Sequence, residues 1–249
     1  YDRDVSFVGS PLVGYGNEYP RFLGLLEEMA RSGSDAARMV GTFRSISDRI
    51  LARQREATLG NRYVIRELLA EAMPNVAIRY SRGVLLPYDI ASILGKQAAQ
   101  DQRLDILRAV RPAPELYGNE EWRTVEGLSG QWRGSVDLRH DAARVFARTR
   151  INLGLQRIYT LDGLSDRVFN ILAAGGFLLH NRGLAIAEHF VEDRHLVLFD
   201  TVEEMNEKIA WYLAHEEERR AIARAGQEEV RRRHTLEIRL GEALSALGL

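Results

Sequence analysis

The sequence has no cysteine, no excess of charge of either sign and no long apolar run. Without cysteine in its 249 residues, the chain has neither a disulfide framework nor a thiolate metal site, and we expect a cytoplasmic location. A formal net charge of -1 gives no overall field that would attract nucleic acid. No apolar stretch approaches the roughly 20 residues of a membrane-spanning helix, so we expect no membrane span.

Signals for a metal ion or a dinucleotide cofactor are also missing. None of the six histidines has metal-ligand spacing to an acidic partner. The Gly-Tyr-Gly at 14–16 lacks the third glycine and the later acidic residue of a dinucleotide-binding loop. We therefore expect no metal, no resident cofactor and no NAD-binding domain.

Six short apolar segments, separated by helical patterns, indicate a parallel β-sheet with helices on both faces. They are DVSFVGS (4–10), PELYG (114–118), QWRGSVD (131–137), INLGLQ (151–156), GFLLHN (176–181) and HLVLFD (195–200). The predicted fold class is α/β with a Rossmann-like sheet. Because the first residues already have the pattern of a core strand, we expect the sequence to be a piece of a longer protein.

Residues 20–95 have helical rather than alternating periodicity. Apolar residues recur along one face in RFLGLLEEMARSG and in AARMVGTFRSISDRILARQRE, and two further helical patterns end at Pro74 and begin after Pro87. The stretch contains no strand pattern. The sequence thus predicts a sheet domain, residues 1–19 and 96–249, and an inserted α-helical lobe, residues 20–95.

The loop after INLGLQ is the main candidate for a binding site. In open α/β sheets, ligands lie where strand ends lead into helix N-termini, whose free N–H groups bind phosphate. A helix that begins near Ser165 places its first amides there, and Arg167 adds a cation able to grip a phosphate with its fork of N–H groups. The ordinary alternative is equally open: Ser165 as an N-cap, Asp166 compensating the helix dipole and Arg167 in a surface ion pair.

Asn170 is a polar residue inside the mostly apolar helix that follows. It lies four residues after Asp166, so the two share a helix face. An amide buried there would need a hydrogen-bond partner. This face is therefore a candidate wall of the binding cleft.

The segment INLGLQRIYTLDGLSDRVFNILAAGGFLLHN resembles the nucleotide-sugar-binding half of GT-B glycosyltransferases, and most of all the CgeB-like (spore maturation protein type) members of the group-1 enzymes. The likeness is also seen in DVSFVGS and in RLDILRAV…ELYG, so that it covers the start and roughly the last 150 residues of the chain, whereas the stretch 20–95 has no counterpart. The Glu-x7-Glu motif of these enzymes, with the Ala-Cys-Gly that follows, corresponds here to Asp162, Asn170 and Ala173-Ala174-Gly175. The first motif acid is thus an Asp, one methylene shorter, and the second is a neutral Asn.

The resemblance implies a role for each part of this segment. Asp162 would be the catalytic residue that faces the donor sugar, and Asn170 would hold the ribose hydroxyls. The implied substrate-binding residues also include a group around the diphosphate and a group at two strand ends: Gly163, Leu164, Ser165 and Arg167, then Gly9, Ser10, Tyr117 and Gly118. A plain strand-to-helix turn is the alternative for the strand-end group.

Three other residues border the predicted site. His180 ends a strand at the presumed cleft and is a further candidate contact for the donor. Trp122 and Trp132 flank a loop and are either core residues or aromatics on the acceptor side. The basic run at 231–234 alternates with acidic residues, which is typical of a solvated helix face.

The resemblance implies a metal-independent, hexosyltransferase-like enzyme that transfers a glycosyl group from a nucleoside diphosphate sugar, such as a UDP-sugar, to an unknown acceptor. A GT-B enzyme needs two Rossmann-like domains, so the expected partner is an N-terminal GT-B domain, upstream or on another chain, and the fragment alone should be inactive. The alternative is a catalytically inactive binding or scaffolding module. The neutral Asn170 favours the module, whereas the intact loop with Arg167 favours the enzyme.

Overall fold

The computed structural model describes residues 1–31, 33–58, 62–73, 89–137, 140–160 and 163–248. Its strands, each overlapping one of the six predicted segments, are β1 Arg3–Val8, β2 Glu115–Tyr117, β3 Trp132–Gly134, β4 Thr149–Gly154, β5 Leu178–Asn181 and β6 Val197–Phe199. Its α-helices are α1 Val13–Gly16, α2 Glu18–Ala30, α3 Ser34–Thr58, α4 Ile65–Ala72, α5 Ile90–Ala109, α6 Ala142–Arg148, α7 Asp166–Ala173, α8 Ile186–His189, α9 Val202–Ala214, α10 Glu216–Arg233 and α11 Leu236–Ala246.

The six strands form one parallel sheet in the order β3-β2-β1-β4-β5-β6. This is the strand order of a Rossmann fold, in which the chain starts in the middle and winds outward in both directions. The pairing of β1 with β4, with Ser6 opposite Asn152, joins the two halves. The predicted α/β class and parallel sheet are confirmed.

Helices cover both faces of the sheet. On one face, Val8, Leu178 and Leu198 of three strands share an apolar core with residues of α6, α7, α8 and α10. α9 contacts β4 and β6 and buries Met205 and Ile209, which lie outside that core. Burial of this apolar area on both faces is the main source of stability for such a sheet.

The chain divides into two compact units. The first comprises residues 1–10, 106–156 and 160–249, and the second comprises residues 11–105 and 157–159. In the second unit, the described residues form helices and no strand, which confirms the predicted helical lobe. The borders predicted for the sheet domain and the lobe stay a prediction, and so do the helix end at Pro74 and the helix start after Pro87, which lie outside the described residues.

Two helical regions differ in detail from the pattern. The pattern around residue 96 does not show whether a helix ends or continues there. In the structure α5 is one continuous helix, because good helix formers such as Ala98 and Ala99 fill this stretch. The C-terminal helical region breaks between α10 and α11, where Thr235 is an N-cap whose hydroxyl accepts from the N–H of Ile238. Among the described residues, no helix is long and apolar enough to cross a membrane.

Candidate functional site

The strand order places the candidate site at the carboxyl ends of β1 and β4. Ligands of open α/β sheets bind where the winding direction reverses, and here it reverses between these two strands. β1 leads into Gly9 and Ser10, and β4 ends at Gly154. The structure thus places the end of the first predicted strand beside the start of the predicted site loop, at the same edge of the sheet.

Gly9 and Gly118, two predicted site residues, are in direct backbone contact. Gly118 has a φ of 150°, and a Cβ atom there would lie 2.1 Å from the carbonyl oxygen of Gly9, so only glycine fits. Trp122 Nε1 donates to the Gly9 oxygen (2.8 Å), and Trp132 Nε1 donates to the Gly118 oxygen (3.1 Å). Both indoles therefore fix the backbone at this edge, and Trp122 is a fully buried core residue.

The side chain of Tyr117 lies in the apolar core. Its hydroxyl accepts from Arg3 Nε (2.6 Å) and donates to Glu115 Oε2 (2.7 Å). Burial, followed by the bond to Glu115, raises the pKa of Tyr117. The hydroxyl is thus occupied within the fold, and the predicted role of Tyr117 in substrate binding stays a prediction. Ser10 is half-buried at the end of β1.

Two buried amides, Gln156 and Asn181, organise the loop that follows β4. Gln156 Nε2 donates to the carbonyl oxygens of Thr160 (2.7 Å) and Gly163 (2.9 Å), and Asn181 Oδ1 accepts from the backbone N–H of Gln156 (2.7 Å). Sequence reasoning missed both residues. The available signal was a polar amide at the carboxyl end of each of two adjacent strands.

α7 begins where the sequence places it. Ser165 is the N-cap, and its hydroxyl oxygen accepts from the backbone N–H of Arg167 (3.2 Å). The ordinary role of Ser165 is therefore confirmed. The N–H of Val168 donates to the Ser165 carbonyl oxygen (3.1 Å). The N–H groups ahead of it, those of Ser165 and Asp166, have no intrahelical partner, so this end stays able to bind an anion. Gly163 is exposed beside it, and Leu164 packs on the apolar core.

Among the described residues, Arg167 has no ion-pair partner. Its guanidinium lies over the ring of Phe146, with Cζ 5.9 Å from the ring centroid. Nη1 is buried and has no hydrogen-bond partner among the described residues. Burial lowers the pKa of Arg167, against a smaller opposing effect of Asp166, yet an arginine remains protonated at neutral pH. A buried, unpaired cationic N–H group is costly unless a ligand supplies an acceptor.

Asp166 and Asn170 lie on an exposed face of α7. The expectation that they share a face is met, and the exposure of Asn170 removes the need for a partner within the protein. Its side chain is therefore available to a ligand. Asp162, the predicted catalytic residue, lies outside the described residues, and its role stays a prediction.

His180 is a buried, neutral residue of the sheet. Burial lowers its pKa to about 4, and its Nδ1 donates to the carbonyl oxygen of Asn181 (2.5 Å). A Cβ atom on Gly154 would lie 2.2 Å from His180 Cδ2, so the imidazole occupies the space that a larger residue on β4 would need. Its proposed contact with a donor stays a prediction.

A network of ion pairs occupies the carboxyl ends of β5 and β6. Arg182 donates to both carboxylate oxygens of Glu192 (2.8 and 3.0 Å) and to Asp200 (2.9 Å). Glu204 accepts from the N–H of Asp200 (2.7 Å) and pairs with Lys208 (2.6 Å). We call these five residues the ion-pair region. Its arginine, unlike Arg167, has its charge balanced by carboxylates.

No group of three or more His, Asp and Glu side chains within the described part of the chain is arranged to hold a metal ion. A family model described as glycosyl transferase-like matches residues 102–245, which is more than half of the chain and includes β2 to β6 with the α7 loop. Neither the curated proteins nor the solved structures compared with the chain include a match. The Rossmann strand order and this match agree, and the chain belongs to the glycosyl transferase-like family.

Proposed function

We propose that this chain is the donor-binding half of a CgeB-like GT-B glycosyltransferase, and that the N-terminal end of α7 binds the diphosphate of a nucleoside diphosphate sugar. The observation that carries the proposal is the buried Nη1 of Arg167, which has no acceptor among the described residues. A phosphate oxygen is negatively charged and accepts hydrogen bonds, so it suits this cationic N–H group. The free N–H groups of the same helix end supply further donors.

The other site residues take their proposed roles from this placement. Asn170, exposed on α7, holds ribose hydroxyls, and Asp162 faces the sugar. The backbone at Gly9 and Gly118 approaches the donor closely because neither residue has a side chain. Donors aimed at the leaving diphosphate stabilise the charge that develops there without a resident cofactor. An N-terminal GT-B domain, upstream or on another chain, supplies the acceptor.

A ligand screen followed by one substitution tests this proposal. Thermal unfolding is measured with UDP, GDP, TDP, CMP and their sugars, because a ligand at a hundredfold excess over its Kd stabilises by about 2.7 kcal/mol. Calorimetry with the best nucleoside diphosphate then compares the wild type with Arg167→Ala. We expect the substitution to weaken binding at least about tenfold, as loss of a charge-assisted bond costs about 1.5–3 kcal/mol.

The matched control is Arg144→Ala, an exposed arginine on the neighbouring α6 of the same unit. It should change neither the affinity for the nucleoside diphosphate nor the unfolding temperature. The corresponding nucleoside, which lacks phosphate, should bind Arg167→Ala and the wild type equally. Equal affinity of Arg167→Ala and the wild type for the diphosphate would reject the site, and no binding of any nucleotide would favour a scaffolding module.

A further inference from the structure

The side-chain amide of Gln156 forms hydrogen bonds to Thr160 and Gly163, the described residues on either side of 161–162. Its Nε2 lies 2.7 Å from the Thr160 carbonyl oxygen, 2.9 Å from the Thr160 hydroxyl and 2.9 Å from the Gly163 carbonyl oxygen. The N–H of Gly163 also donates to the Thr160 oxygen (3.2 Å). One buried side chain thus closes the turn that leads into Ser165 and α7.

The chemistry of these partners fixes the orientation of the amide. Both carbonyl oxygens only accept, so the NH2 group of Gln156 faces them and its two hydrogens are used there. Gln156 is 6% exposed, so water does not compete for these bonds. Loss of the NH2 group leaves the Gly163 carbonyl oxygen without this donor and the Thr160 oxygen with one bond fewer, which favours a different placement of these two residues.

The same residue is held from its other side. Its backbone N–H donates to Asn181 Oδ1, and Asn181, 5% exposed, is the last residue of β5. A line of amides therefore connects β5 through the end of β4 to Gly163. Thr160 and Gly163 thus take their position from the sheet, through Gln156 and Asn181.

We propose that Gln156 is a positioning residue of the donor site, and that it places the turn before α7 so that the helix N–H groups and Arg167 converge on the diphosphate. The inference rests on the proposed function for its ligand, and on the three bonds of Gln156 for its mechanism. A positioning residue acts through geometry, so a shift of the turn reduces binding although no contact with the ligand is removed.

Two variants with different chemistry test the inference. Gln156→Met keeps the length of the side chain and removes both donors, and Gln156→Glu places a carboxylate against the same three oxygens. We expect UDP, the probe, to bind about tenfold more weakly to Gln156→Met, which is less than the roughly hundredfold loss that a 1 Å misplacement can cause in catalysis. UDP should bind more weakly still to Gln156→Glu. Hydrogen exchange of the amides at 157–168 should rise in both variants, while exchange in β1 and β4 stays unchanged.

The matched control is Asn206→Asp, which removes the bond from Asn206 Nδ2 to the Ala109 carbonyl oxygen (2.9 Å) in the same unit. It should lower the unfolding temperature and leave both UDP affinity and exchange at 157–168 as in the wild type. Unchanged exchange at 157–168 in Gln156→Met, or unchanged UDP affinity beside a wild type that binds, overturns the inference alone. A wild type that binds no nucleotide rejects the proposed function and with it the role of Gln156 in binding.

Discussion

Neighbouring residues, Asn181 and Arg182, belong to regions of the sheet edge that are stabilised in different ways. Asn181 and Gln156, with the turn before α7, form what we call the amide region, which is buried and held by neutral hydrogen bonds. Arg182 belongs to the ion-pair region, where its guanidinium donates to the carboxylates of Glu192 and Asp200. Because the Arg182 guanidinium is already paired with carboxylates, it offers little attraction to an external anion. Arg167, beside the amide region, is the residue for which we propose phosphate binding.

The largest expected effect is a loss of folding stability at low pH, caused by the burial of neutral His180. Its pKa is about 4 in the folded chain and 6.5 in the reference state, so the unfolded chain takes up the proton first. Stability is therefore full above pH 6.5 and falls by about 3 kcal/mol as pH drops towards 4. Urea unfolding across this range measures the decline, and His180→Gln, which keeps a donor and does not titrate, should flatten it. An equal decline in that variant would assign the acid sensitivity to another group.

Next in size is Asn181→Ala, which removes the acceptor of the buried Gln156 N–H. We expect a loss of about 2 kcal/mol in the free energy of unfolding, because a buried donor is left unsatisfied. The loss should be the same in about 0.1 M salt and in about 0.5 M salt, since bonds between neutral groups are little screened. A loss that shrinks in salt would mean that the amide region depends on charge after all.

Asn170→Glu should strengthen ligand binding, by less than the two stability changes above. Asn170 is exposed on the face of α7 that we assign to the ribose, and a carboxylate would make a stronger bond to a hydroxyl. Binding of the best nucleoside diphosphate should tighten by about 1 kcal/mol. Calorimetry gives the difference, with Asp166→Glu on the same exposed face as the control that adds no charge. Weaker binding with an intact fold would place the ribose elsewhere.

Arg182→Met should have the smallest effect, at most about 1 kcal/mol of unfolding free energy, because its partners are partly exposed and solvent screens them. The effect should shrink in salt. The bond to Arg182 lowers the pKa of Glu192, so the contribution is present above pH 4.5 and is lost as Glu192 takes up its proton below that pH. Unfolding of both proteins at pH 7 and pH 3 checks this, and UDP affinity should not change.

Local patterns were enough to predict most of the fold. The six strand segments and the N-terminus of α7 follow from apolar runs and from Ser165, because burial on both faces and helix capping depend on residues close in sequence. The continuous α5 was not predicted, since the pattern around residue 96 does not show whether a helix ends or continues. Arg167 was recognised as a candidate cation, but its surroundings were not.

The sequence by itself determined the α/β class, the order of elements and the helix end that can bind an anion, because periodicity, capping and turn preferences act over a few residues. Only the tertiary structure decided which strand ends meet, that the ring of Phe146 lies against Arg167, and that the Gln156 amide bonds to Gly163. These facts depend on contacts between residues distant in sequence or on the direction of a buried side chain. Packing of the whole sheet selects them, and no local pattern encodes them.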